Sequence, residues 1–129
     1  MTSESRDALA AIREFALGLP EAYEEFPWGE RVAKVNKKIF VFLGIDDERD
    51  ENLAFSVKLP ISNEDALNFP FTKPSGYNLG KSGWVKVSLF SSEPLPVDLF
   101  LRWVEESYRA IAPKKLIAQL KSVQHPHDL

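Results

Sequence analysis

The sequence predicts a two-layer α+β domain, one antiparallel sheet with helices mainly on one of its faces. Three observations predict it. Apolar residues recur at helical spacing near both ends of the chain, whereas the middle carries β-branched and aromatic runs with a period of two. The links between those runs are short, and short links force antiparallel pairing, because a parallel step needs a crossover of a dozen or more residues. The expected order is α-β-β-β-α-β-α.

The first helix is read over SRDALAAIREFALGL (5–19). There Leu9, Ile12, Phe15, Ala16 and Leu19 form one stripe, Ser3 or Ser5 can cap the start, and Gly18 with Pro20 supplies a stop. EAYEEFPWGE (21–30) reads as an extended approach segment. RVAKV (31–35) and KIFVFLGI (38–45) follow as strands, with Asn36-Lys37 as a tight turn between them. The run Ile39 to Leu43 is apolar on both faces, as in a central strand covered on both sides. The acidic stretch DDERDE (46–51) is an exposed connection, and NLAFSVKL (52–59) alternates with Leu53, Phe55, Val57 and Leu59 inward and Asn52, Ser56 and Lys58 outward.

Pro60 ends that strand, and a short helix through Leu67 is expected to start at Ser62 as its cap. FPFTKPSGYNLG (69–80) is loop by its Pro and Gly content. WVKVSLF (84–90) is the last strand, with Val85, Val87 and Leu89 on one face and Trp84, Lys86, Ser88 and Phe90 on the other. Leu99, Phe100, Trp103, Val104, Ser107, Tyr108 and Ile111 mark the buried stripe of the final helix, which Pro113 breaks before KKLIAQL resumes. Residues 1–120 are expected to form one domain and 121–129 a flexible tail.

Composition bounds the chemistry. The 129 residues suffice for one core, burying about two-thirds of the unfolded surface without metal or disulfide staples. There is no cysteine, which removes disulfides, thiolate nucleophiles and Cys-based metal sites. Neither a signal-peptide pattern nor a membrane-length apolar run is present, so a cytoplasmic protein without membrane partners is expected. The net charge of −3 is segregated: residues 1–30 hold seven acids and two bases, whereas 31–45 hold Arg31, Lys34, Lys37 and Lys38 with no acid.

Gly80-Lys81-Ser82 ends like a phosphate loop, but the pattern G-x-x-x-x-G-K-[ST] needs a glycine where Ser75 stands. It also needs a helix afterwards, and a strand is expected there. His125 and His127 are the two histidines, both in the tail, so Ser-His and Cys-His catalysis lack their parts. Glu24 and Glu25, near Trp28, are the residual carboxylates for acid–base work, yet neighbours in an extended segment face opposite ways. No catalytic residue, metal site or cofactor is expected.

The last strand is more suggestive. If helices cover its Val85 face, Trp84 and Lys86 lie on an open face as an aromatic beside a cation, the combination nucleic-acid readers use for base stacking and phosphate neutralisation. Tyr77 and Lys81 in the preceding loop, and Lys34, Lys37 and Lys38 in the first hairpin, extend that patch.

Leu19-Pro20-Glu21, Pro27-Trp28-Gly29, Lys34-Val35 with Lys38-Ile39-Phe40, Gly80-Lys81, Gly83-Trp84-Val85 and Ser107-Tyr108 stand in an order that resembles the MmcQ/YjbR family over residues 5–120. The resemblance implies a secretion-chaperone-like or frataxin-like two-layer α+β fold. It also implies a DNA-binding role through a double-wing surface, with the wings at 36–38 and 76–83, and carries no catalytic motif. The expected function is a non-enzymatic, DNA-binding module. A protein-interaction or homodimerisation domain is the first alternative. A small-molecule binder or enzyme with a pocket near Trp28, Tyr77 and Trp84 is the second.

Overall fold

A computed structural model describes residues 2–44, 53–75, 82–89 and 94–124. The acidic connection at 46–51, Tyr77, Gly80, Lys81 and the two histidines lie outside them. Helix α1 runs Thr2–Leu17, three residues earlier than its apolar stripe suggests. Ser5 is therefore inside the helix and no cap; it is buried and its hydroxyl donates to the Leu89 carbonyl at 2.6 Å. Ala8, Ile12 and Ala16 form the buried seam, with Leu9 and Phe15 packed beside it.

The sheet has six strands: β1 (Tyr23–Glu25), β2 (Arg31–Val35), β3 (Lys38–Gly44), β4 (Ala54–Lys58), β5 (Thr72–Pro74) and β6 (Trp84–Ser88). Their spatial order is β1-β2-β3-β4-β6-β5, and every pairing is antiparallel. The α+β, antiparallel reading holds. The two outermost strands, β1 and β5, fall where the sequence predicts an extended approach and a loop. Each has three residues beside prolines, and prolines and short length are tolerated at a sheet edge, where one side of the ladder is unpaired. Asn36 and Lys37 both have positive φ, 52° and 66°, the conformation a two-residue hairpin turn requires.

Among the described residues the remaining helices are α2 (Asn63–Ala66), α3 (Val97–Ile111) and α4 (Lys114–Gln124), after a 3-10 turn at Pro27–Gly29. Helix α4 continues four residues into the segment expected to be tail. Ala112 is extended (φ −75°, ψ 152°) because a residue before proline is pushed out of the helical region, which separates α3 from α4. Ser62 precedes α2 as expected, but its side chain makes no cap. The Glu106 carboxylate of α3 instead accepts the Ile61 and Ser62 amides, each at 2.9 Å. No helix of the described residues is long and apolar enough to cross a membrane.

Helices α1 and α3 close one side of the sheet. Phe100, Trp103, Val104, Ser107 and Tyr108 of α3 are buried against Phe55, Val57, Val85 and Val87, each large apolar side chain contributing about 1.5–3 kcal/mol. Phe55 meets Phe100 and Phe40 meets Tyr108 edge-on, at 5.2 and 5.3 Å between ring centroids. Gly83 precedes β6 at φ +90°, and an added Cβ there would stand 3.2 Å from the Leu59 carbonyl oxygen, so only glycine fits that approach.

Candidate nucleic-acid interface

Residues directly opposite on paired strands share a face. One cross-strand row therefore runs Lys73, Lys86, Ser56, Phe42, Val32 and Glu25 from β5 to β1. Lys58 opposite Trp84, Ala54 opposite Ser88, and Tyr23 opposite Lys34 flank it on the same face. Val41, Val57 and Val85, which pack into the helix-side core, define the reverse face. The row thus lies on the side away from α1 and α3; Lys73 and Lys86 at its β5 end are exposed, whereas Val32 and the flanking Trp84 are buried.

Its cations differ from those the sequence suggests. Lys34 is held by Glu25 at 3.0 Å, and that hydrogen bond raises its pKa above the usual lysine value. It shares the face with Lys86 but sits three strands away, roughly 14 Å by strand spacing. Lys37 is exposed at the hairpin tip, and Lys38 pairs with the core residue Val35, which puts it on the helix side of the sheet. Tyr77 and Lys81 lie outside the described residues. Lys73 joins Lys86 instead. The two stand opposite each other on neighbouring strands, both exposed, with Lys58 on the same face. Among the described residues neither Lys73 nor Lys86 has an ion-pair partner. Like charges placed so cost a few tenths to about 1 kcal/mol unless an anion joins them. Lys58 was legible in the alternation of 52–59; Lys73 was hidden because prolines made its strand look like loop.

The exposed aromatic expected at Trp84 is not there. Trp84 is on the helix-free face, but it is only 7% exposed. Its ring meets Phe42 edge-on at 5.3 Å, and Val32, opposite Phe42, is fully buried. Both Trp84 and Val32 are buried without belonging to the helix-side core. This small second cluster is why Ile39–Leu43 is apolar on both sides. An indole so enclosed offers no free ring face to a base.

Around the lysine pair the surface is concave. Lys73, Lys86, Ser88, Ala54, Leu53 and Phe71 line a groove of about 320 Å³ at the β5 side of the sheet. The Ser88 amide donates to the Phe71 carbonyl at 2.9 Å, tying the groove wall to β6.

The other chemical candidates resolve into structure. Arg13 of α1 grips Glu24 with Nε and Nη2, at 2.6 and 3.0 Å, and Arg31 adds its charge at 3.5 Å. The Arg13 bond holds Glu24 below the usual carboxylate range, the opposite of a general acid. Glu25 faces the other way, to Lys34. Strand β6 begins two residues after Ser82, so the helix that a phosphate loop requires does not follow the Gly-Lys-Ser sequence. The pocket expected near Trp28, Tyr77 and Trp84 loses one wall to the burial of Trp84, and Tyr77 lies outside the described residues.

This sheet, with α3 packed on it, is the part that comparison with known proteins picks out. A family model described as YjbR matches residues 17–110. The chain belongs to the YjbR family. The YjbR match spans all six strands and all but the last residue of α3, so the uncovered face and its lysine groove lie within the shared region. Most of α1, and all of α4, fall outside it. The fold agrees with a crystal structure of a protein from Pseudomonas syringae, at a TM-score of 0.57 and 18% identity over 78% of this chain and 96% of that one. At that identity the likeness shows a shared fold. No curated protein matches the chain.

Proposed function

We propose that this YjbR-family protein is a non-catalytic binding module that contacts the phosphate backbone of nucleic acid, DNA first, with the helix-free face of its sheet. One observation carries the reading: Lys73 and Lys86 face each other across β5 and β6, both exposed, and among the described residues no carboxylate neutralises them. Lys58 adds a third cation on that face, and Ser56 lies beside Lys86 in the same row. With a net charge of −3 the molecule as a whole repels a polyanion, so binding is local and weak at physiological salt.

Anisotropy with fluorescent DNA at low ionic strength tests this. Three neutralised phosphates give a log–log salt slope of about −2.7 on duplex or about −2.1 on single strands. Replacing Lys73 and Lys86 together with glutamine lowers affinity and makes the slope shallower by about two phosphates' worth. No binding at low salt by either form of DNA would remove the proposal.

A protein contact is a second reading, favoured by Ile61. This isoleucine is 85% exposed and borders a groove of about 370 Å³ with Arg102, Glu106 and Arg109 on the outer side of α3. Light scattering across a concentration series reads self-association there, and a mass constant at 14.6 kDa removes the homodimer form of this reading.

A further inference from the structure

We infer that the groove at the β5 side of the sheet takes a phosphate monoester, the doubly charged end of a nucleic-acid strand, in preference to an internal phosphodiester. The inference rests on the nucleic-acid reading above and names the part of the polymer that this groove receives.

Main-chain bonds fix the lysine pair. The Ser88 amide donates to the Phe71 carbonyl at 2.9 Å, and the Ser75 amide donates to the Trp84 carbonyl at 3.1 Å. Hydrogen-bonded pairs recur at every second residue of an antiparallel ladder. Lys73 and Lys86, midway between those two bonds, are therefore such a pair, with Cα atoms about 5.5 Å apart. Both are exposed, and both line the groove of about 320 Å³, to which Ser88 adds a hydroxyl. Among the described residues no carboxylate and no histidine lines it.

The rim of this groove resists being covered by another strand. β5 is the outermost strand, yet Pro74 has no N–H, Lys73 directs its amide to β6, and the Thr72 amide already donates to the Phe69 carbonyl at 3.2 Å. A strand added there would find no main-chain donor along β5, so sheet extension does not bury the lysines.

Charge then selects the ligand. An internal phosphodiester carries one negative charge and neutralises one lysine. A terminal phosphate carries roughly −1.5 to −2 at neutral pH, with three acceptor oxygens, which is enough for both. It relieves the repulsion between two opposed like charges, which a diester leaves half in place. Shape acts in the same direction. An internal phosphate has a sugar on either side, whereas a terminal one has a single neighbour and can enter a concavity.

The probes are an oligothymidylate of about ten residues, labelled at its 3′ end, with either a 5′-phosphate or a 5′-hydroxyl. Anisotropy at low salt should show the phosphorylated strand binding at least about fivefold tighter at neutral pH. That preference should fall below about twofold near pH 5, where a monoester with a second pKa of about 6 keeps one charge. Lys73→Gln and Lys86→Gln should each bring the ratio of the two affinities close to one. Lys58→Gln, on the same face but outside the groove, should weaken both strands equally. Circular dichroism confirms that the variants are folded. Equal binding of the two strands by the unaltered protein overturns the end site and leaves the sheet-face reading standing. Absence of binding by both overturns the two together. A preference that survives both lysine substitutions puts the phosphate elsewhere and overturns the groove. Free thymidine monophosphate should compete weakly and thymidine not at all. A monophosphate that binds as tightly as the phosphorylated strand overturns the assignment to a strand end in favour of a free nucleotide.

Discussion

Trp84 packs edge-on against Phe42, ring centroids 5.3 Å apart, on the one side of the sheet that no described helix covers. The pair makes the second face partly apolar and structural at the end where the sequence suggests a binding aromatic. Trp84→Ala therefore acts on stability first: it removes a nearly enclosed indole and leaves Phe42 and Val32 wet, at a cost of about 3 kcal/mol. Chemical denaturation followed by circular dichroism reads this, and Trp84→Phe recovers most of it. A loss smaller than 1 kcal/mol for the alanine variant would show that the indole is not a packing element.

Ser107 supplies a bridge the sheet cannot make for itself. The β2–β3 register slips between Ala33 and Lys34, leaving Phe40 as an extra residue in β3. The Ser107 hydroxyl donates to the Phe40 carbonyl and accepts the Lys58 amide at 2.8 Å, joining β3 to β4 from the helix side. Ser107→Ala strands two main-chain groups, each costing about 1–3 kcal/mol when buried, and the expected net loss is about 2 kcal/mol. Urea titration should show a lower midpoint with an unchanged slope, since the fold stays the same. A midpoint identical to the parent's refutes the bridge.

Acid should weaken the clamp between α1 and β1. The Glu24 carboxylate lies below its ordinary pKa because Arg13 donates two hydrogen bonds to it. A depressed folded-state pKa contributes stability that is fully present above the unfolded value and is lost as pH falls through the folded one. The melting temperature of the parent should therefore drop between neutral pH and strong acid more steeply than that of Glu24→Gln. The two curves should converge at the acid end; parallel curves across that range would mean that the pair contributes nothing.

Lys37 holds a left-handed conformation, φ 66°, at the hairpin tip, where an L side chain crowds its own carbonyl. Lys37→Gly relieves that cost and, after the larger entropy loss of glycine on folding, stabilises the protein by about 0.5 kcal/mol. The tip is distant from the Lys73–Lys86 groove, so DNA affinity should stay within about twofold of the parent. A tenfold loss would restore the hairpin tip to the binding surface.

Much was fixed by the sequence on its own. Local periodicity and turn chemistry determined α1, β2, the Asn36-Lys37 turn, β3, β4, β6, and the α3–Pro113–α4 break, because each depends on residues within a turn or a strand of one another. The two faces of β6 and the absence of a phosphate loop were equally local. The edge strands β1 and β5 were not legible, since three residues among prolines form a strand only where a neighbour supplies its hydrogen bonds. The same holds for the site. That Lys73 stands opposite Lys86, that Glu25 occupies Lys34, and that Phe42 closes over Trp84 are consequences of strand order and register. These bring residues far apart in the chain to within one strand spacing, so only the tertiary structure decided which lysines remained free to meet an anion.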